Sequence, residues 1–341
     1  MNRKLRIVFM GTPDFAVPSL RAIHEGGYDI AAVVTAPDKP AGRGLQLHQS
    51  PVKEYALAHQ IPVLQPLKLK DPEFLEKLRS YHANLQVVVA FRMLPDVVWQ
   101  MPLLGTFNLH ASLLPDYRGA APINWAVING ETQTGATTFF LKHEIDTGDI
   151  IFQEKITIEP EEDAGAVHDR LIIAGAALVL KTLRAIDTGS ITTVPQTYIK
   201  EPKPAPKLFK EDCKIDWQNQ TLGEIHNFIR GLSPHPTAWT MLDGKVLKIY
   251  KTEKEREPDS VIVGVTLNDN PIEPPDQSVI AGVTRNLIEP AGIIITDQKT
   301  FLKIACMGGY LCLLELQLEG RKKMGVEEFL RGYAVKNNAM M

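Results

Sequence analysis

An amide and an imidazole stand two residues apart in Thr106-Phe107-Asn108-Leu109-His110-Ala111-Ser112-Leu113-Leu114-Pro115. In a strand, alternation puts Asn108 and His110 on one face and Phe107 and Leu109 on the other. Pro115, Gly119 and Pro122 break the chain directly afterwards, so the pair belongs at a strand's carboxyl end, where open α/β sheets bind ligands. Further on, Asp146-Thr147-Gly148-Asp149 forms a turn with two carboxylates. Transfer of an acyl group to an amine passes through a tetrahedral centre bearing an oxyanion. Asn108 can donate to that oxygen, and a protonated His110 can add a charged donor. The attacking amine must also shed a proton. Asp146 is the candidate acceptor, placed to hold His110 charged, whereas Asp149 reads as a turn or cap residue. Ser112 lacks the GxSxG context of a nucleophile, so direct transfer between two bound substrates is the expected route.

Several elements must position these groups. Leu5 to Met10 and Leu85 to Phe91 are apolar runs that fit strands covered on both faces, the second at the centre of the sheet. Helical spacing at Pro18–His24, Lys53–His59 and Asp71–Ser80 alternates with strand patterns at Ile30–Thr35, Pro62–Leu64, Gly135–Leu141 and Ile150–Ile158. A long helix at Ala164–Ile186, closed by Gly189, follows. The alternation predicts a doubly wound, mainly parallel α/β domain over residues 1–190. Its first βα turn, Gly11-Thr12-Pro13, lacks the glycine spacing of a dinucleotide site; Gly11 either turns the chain or approaches a ligand. Ala36 to Pro51 reads as a long structureless loop bearing Lys39 and Arg43, a kind that is more often functional than accidental.

A Pro/Lys-rich linker over 191–207 is expected to stiffen toward polyproline II. Beyond it the pattern changes class. A helix at Leu222–Gly231, a hairpin around Asp243-Gly244 and short runs at Val279–Val283, Gly292–Thr296, Phe301–Cys306 and Leu311–Leu318 predict a small OB-like β-barrel over 208–341. Glu253 to Gln277 reads as a polar excursion. Barrels of this kind commonly bind nucleic acids.

The bulk numbers set bounds. At 341 residues two domains are expected, and a net charge of −3 leaves any polyanionic partner to local clusters. The three cysteines, Cys213, Cys306 and Cys312, show neither metal-ligand nor CxxC spacing, which predicts a reducing, cytoplasmic setting with no metal. The longest apolar run, Leu171 to Leu180, is far too short to span a membrane.

With these residues in place, the chain resembles the 10-formyltetrahydrofolate-dependent formyltransferases and, within them, the methionyl-tRNA formyltransferases. The resemblance rests on NLHASLLP at 108–115, YRGAAP at 117–122 and DTGD at 146–149. It extends through FMGTPDFAVPSL at 9–20, PDKPAGRG with SPVK in the first loop, KIDW at 214–217 and IRGLSPHPTAW at 229–239. It implies formyl transfer from 10-formyltetrahydrofolate to the α-amino group of methionine on initiator methionyl-tRNA, by a monomer. Asn108, His110 and Asp146 match the catalytic trio. Ser112, Leu113, Leu114 and Pro115 match the folate segment, and Val89, Ala90, Phe91, Arg92, Met93 and Leu94 fall where backbone groups wrap the pterin. Arg43 and Lys39 fall in the loop that enters the tRNA acceptor arm, with Lys203, Lys207 and Lys210 as phosphate contacts. Two departures stand out: Phe91-Arg92-Met93-Leu94 is shorter than the family's glycine-containing turn, and the 253–277 excursion is longer than usual. Two alternatives remain, a same-fold formyltransferase acting on a small amine such as an amino-sugar nucleotide, and an RNA-binding protein with an inactive catalytic half.

Overall fold

The apolar run before Gly11 becomes β1 (Arg6–Gly11), buried at every position after Arg6 as a doubly covered strand must be. The structure, a computed structural model, describes residues 4–41, 46–197, 201–256 and 290–336. It divides into two units, Met1–Ala126 with Glu131–Leu208, and Val127–Gly130 with Phe209–Met341.

In the first unit β1 is followed by α1 (Val17–Glu25), β2 (Asp29–Val34), β3 (Lys39–Ala41), β4 (Gln46–His48), α2 (Pro51–Ala58) and β5 (Val63–Leu64). Then come α3 (Pro72–Ser80), β6 (Leu85–Val89), α4 (Asp96–Trp99), β7 (Thr106–His110), β8 (Arg118–Gly119), α5 (Pro122–Ile128), β9 (Gln133–Phe140), β10 (Ile150–Thr157), α6 (Ala164–Thr188) and β11 (Pro204–Ala205). Seven strands form one sheet in the order β10-β9-β7-β6-β1-β2-β5, so β6 is its central strand. From β7 to β5 the pairing is parallel, while β9 and β10 run antiparallel. The expected doubly wound, mainly parallel class is what the structure shows.

Helix ends follow the local chemistry. Ser50, Asp71 and Asp163 each accept a backbone N–H at the start of α2, α3 and α6, and Gly189 closes α6 at φ 69°. The 25-residue α6 crosses one face of the sheet, and Gly175 exists there for closeness: a Cβ would lie 2.8 Å from Leu109 Cδ2. Gly11 is likewise a packing glycine, since its Cβ would meet Ala16 Cβ at 2.7 Å and Val89 O at 3.0 Å.

One expectation changes here. The flanks of the 36–51 segment are not structureless, because β3 and β4 pair antiparallel from Lys39↔His48 to Ala41↔Gln46; Arg43 lies outside the described residues. The Pro/Lys segment, expected as a stiffened linker, is tied to the first unit. Its β11 pairs parallel with β8, and the carbonyls of Lys203 and Ala205 accept from Tyr117, Ala120 and Ala121. Proline cannot donate to a ladder, but its neighbours' groups can: the carbonyls of Lys203 and Ala205 accept, and the Lys203 N–H donates to Asp116 Oδ1 at 3.0 Å.

The second unit holds α7 (Leu222–Leu232), β12 (Ala238–Leu242), β13 (Lys245–Arg256), β14 (Ile294–Thr296), β15 (Leu302–Cys306), β16 (Gly309–Leu318), β17 (Met324–Gly325) and α8 (Val326–Gly332). Its strands form one antiparallel sheet in the order β12-β13-β16-β15-β14, with β17 on β16. Thr221 and Glu224 close a capping box on α7. Two sequence motifs meet here: Lys214 bridges Trp239, and Trp217 Nε1 donates to the Thr240 hydroxyl at 3.0 Å. Glu253 to Arg256, expected to begin an excursion, instead continue β13, while the rest of 253–277 and the run Val279–Val283 lie outside the described residues.

Candidate active site

β7 lies between β6 and β9, with Asn108 opposite Val88 and Phe139 and His110 opposite Thr137. Leu109 faces α6, so Asn108 and His110 project from the other face, as strand alternation requires. His110 is the last residue of β7 and is buried, at the carboxyl edge shared by the parallel strands.

Asp146 meets it there. His110 Nδ1 stands 3.8 Å from Asp146 Oδ2, with side-chain exposures of 7% and 13%. That separation is too long for a hydrogen bond, so a proton passing between them needs a small closure or an intervening group. The other ring nitrogen is fixed: Nε2 lies 2.8 Å from the Tyr117 carbonyl, which can only accept. Nε2 therefore carries a hydrogen in every protonation state, and Nδ1, facing the carboxylate, is the nitrogen free to exchange its proton.

Asp146 is held at its carboxylate and at its carbonyl, on a left-handed backbone. Its Oδ2 accepts the Gly119 N–H at 3.1 Å, its carbonyl accepts from Gln196 Nε2 at 2.8 Å, and its own φ is 53°, in the left-handed region. An aspartate kept in that region is backbone strain at a candidate functional position. Gly119 has to be glycine: φ is 123°, and a Cβ would lie 2.4 Å from the Ala205 carbonyl. Gly148 has to be glycine because a Cβ would lie 1.6 Å from Phe140 O. Asp149 is paired with Lys142 at 2.7 Å.

Asn108 differs from its neighbours. Among the described residues its side-chain amide has no hydrogen-bond partner, although it is half-buried. An amide left unpaired beside the His110–Asp146 pair is available to a ligand.

The Ser112–Pro115 turn is knotted by Thr137. The buried Thr137 hydroxyl donates to Ser112 O at 2.6 Å and accepts Leu114 N–H at 3.2 Å, while Gln153 reaches both Leu114 O and Thr137. Ser112's own hydroxyl donates to Asp116 O at 2.6 Å, so it serves the turn. Leu113 packs against Gly135, where a Cβ would meet it at 2.5 Å.

At the end of β6, Val89 is buried, Ala90 sits at φ 46°, and Met93 is 71% exposed. Among the described residues, Phe91 to Leu94 neither donate nor accept a backbone hydrogen bond. Backbone groups left unpaired beside an apolar surface suit a flat heterocycle with alternating donors and acceptors. Arg92 turns away from this edge: it lies over Phe91 and donates to the carbonyls of Pro66 and Leu67. Of the lysines, Lys203 is ion-paired with Glu131, while Lys207 and Lys210 are exposed, and Lys39 lies in β3.

Comparison with known proteins completes the picture. The sequence model described as "Formyl transferase" matches residues 5–183, and that described as "Formyl transferase, C-terminal domain" matches 207–334. The chain belongs to the formyl transferase family. Among its relatives in that family, a methionyl-tRNA formyltransferase of Phocaeicola vulgatus is 53% identical over 99% of this chain and 98% of its own. One of Bacteroides fragilis is 51% identical over 96% and 95%. Solved structures share the fold. A sugar 3N-formyl transferase, WlaRD, superposes with TM-score 0.62 at 19% identity, covering 94% of this chain and all of its own. HypX from Aquifex aeolicus, in complex with tetrahydrofolic acid, gives 0.58 at 17% identity, covering 99% of this chain and 51% of its own. Sequence reading missed Tyr117, Gly119, Thr137 and Gln196 at the site, the first two because they act through backbone atoms.

Proposed function

We propose that this chain transfers the formyl group of 10-formyltetrahydrofolate to the α-amino group of methionine on initiator methionyl-tRNA, by direct attack. The observation that carries the mechanism is the arrangement of His110: Nε2 pinned to Tyr117 O, Nδ1 turned to Asp146, and the unpaired Asn108 amide on the same strand face. The tRNA acceptor rests on the relatives' names and on the second domain, which this proposal makes the tRNA-holding part.

10-Formyltetrahydrofolate enters as a substrate, its pterin against the open backbone at 91–94 and the Ser112–Pro115 turn. The amine nitrogen forms a bond to the formyl carbon, and the carbonyl oxygen becomes an oxyanion. Asn108 donates to that oxygen, and protonated His110 adds a second donor; one such donor is typically worth about 10²–10³ in rate. The amine's proton passes to Asp146. Collapse breaks the bond from the formyl carbon to N10, which leaves with a proton from the His110–Asp146 pair. Lys39, Arg43, Lys207 and Lys210 are assigned to tRNA phosphates; Lys203, bound to Glu131, instead secures the strap beside Tyr117.

The test offers methionyl initiator tRNA and free small amines, including an amino-sugar nucleotide, as parallel acceptors. Formyl product on the tRNA alone supports the reading. Product on a small amine overturns the acceptor while keeping the chemistry, and folate binding without product on either overturns both.

A further inference from the structure

Val194 pairs with Ile150 through two backbone hydrogen bonds, at 2.8 and 2.9 Å, bringing the chain after α6 back beside the Asp146 turn. Two residues on, one side-chain amide joins both halves of the site. Gln196 Nε2 donates to Asp146 O and to Gly148 O, each at 2.8 Å, and Gln196 Oε1 accepts from an Arg118 guanidinium nitrogen at 2.6 Å. The partners fix the amide's orientation, because the two carbonyls can only accept and the guanidinium can only donate.

The joined segments are those that hold the catalytic pair. Residues 146–148 carry the Asp146 carboxylate and its left-handed backbone. Residues 117–119 carry the carbonyl that pins His110 Nε2 and the N–H that binds Asp146 Oδ2. A side chain tied to both sets the separation between them. We propose that Gln196 is a positioning residue that fixes the spacing of His110 Nδ1 and Asp146 Oδ2, resting on the assignment of that pair to catalysis. Only an amide fits. A carboxylate at this position would turn lone pairs toward two carbonyls, and an apolar side chain of equal length would release both segments. Gln196 touches neither the reacting atoms nor the ring of His110, so its effect is confined to geometry. Misplacement of a reacting pair on the ångström scale can cost about 10²-fold in rate.

The test is a double-mutant cycle on the full chain, reading single-turnover formyl transfer and folate affinity. Gln196→Met should slow transfer by about 10–100-fold with folate affinity within twofold, and Gln196→Glu should slow it further. In an Asp146→Asn background, Gln196→Met should cost almost nothing more, because a spacing device has no effect once its carboxylate is gone. Equal losses in both backgrounds would make Gln196 a structural residue and overturn the proposal, as would an unimpaired Gln196→Met with an impaired Asp146→Asn. An unimpaired Asp146→Asn would instead overturn the catalytic assignment beneath it. If Gln196→Met lowers Tm sharply, Arg118→Lys, which weakens the same tie from the other side, must reproduce the non-additivity or the proposal fails.

Discussion

Replacing Thr137 by valine removes one buried hydroxyl at nearly constant volume, so it isolates hydrogen bonding from packing. In the native fold that hydroxyl donates to Ser112 O and accepts Leu114 N–H, both buried. Valine leaves these two backbone groups without partners, while Leu114 O keeps its bond from Gln153. An orphaned buried group costs about 1–3 kcal/mol; taking the lower half of that range for each gives about 2–4 kcal/mol. For a domain of this size that is a Tm drop of roughly 4–16 °C in the first unit. Thr137→Ser is the control: it keeps the hydroxyl, loses one methyl and should cost about 1 kcal/mol. Because the freed turn is Ser112–Pro115, KM for the folate should also rise in the valine variant and stay near wild type in the serine variant. Calorimetry of the full chain with folate kinetics reads both effects. If Thr137→Val melts at or above Thr137→Ser, the three-way tie does not hold the turn.

A chain ending at Leu208 should keep folate binding and lose tRNA affinity, since it retains β11 on β8; full tRNA affinity in it would refute the division of labour. A chain ending at Ile191 should lose folate affinity as well, because β11, which pairs with β8 and holds the 117–121 backbone, goes with the cut. The cysteines should be inert in the native fold: burial pushes the Cys306 thiol up to about 12, burial with Glu255 beside it pushes Cys312 up to about 11, and burial also raises Cys213. A thiol with a raised value is protonated at pH 8 and lacks the reactive thiolate, so a disulfide reagent should label none of the three quickly at that pH. Rapid stoichiometric labelling of native protein would contradict this.

The sheet and its two central residues were legible because side-chain period encodes them. The buried runs at Leu5 and Leu85 gave β1 and β6, and alternation in Thr106–His110 put Asn108 and His110 on one face. The supports around them were not legible. Tyr117 and Gly119 contribute a carbonyl and an N–H, which every residue type possesses, and Gln196 contacts Asp146 across 50 positions of chain. The docking of the Pro/Lys segment on β8 was not legible, because proline marks extended backbone without saying what its neighbours' carbonyls meet. The β3–β4 ribbon was missed because three-residue strands carry too little pattern to stand out from a glycine-rich loop.

The central claim is that His110, pinned at Nε2 and opposed to Asp146 at Nδ1, handles the charge and proton of formyl transfer. The most direct measurement is single-turnover transfer to methionyl initiator tRNA by His110→Ala, with folate and tRNA affinities measured on the same protein. The account predicts a rate lower by about 10²–10³ with both affinities near wild type. A rate close to wild type at unchanged affinities would contradict it.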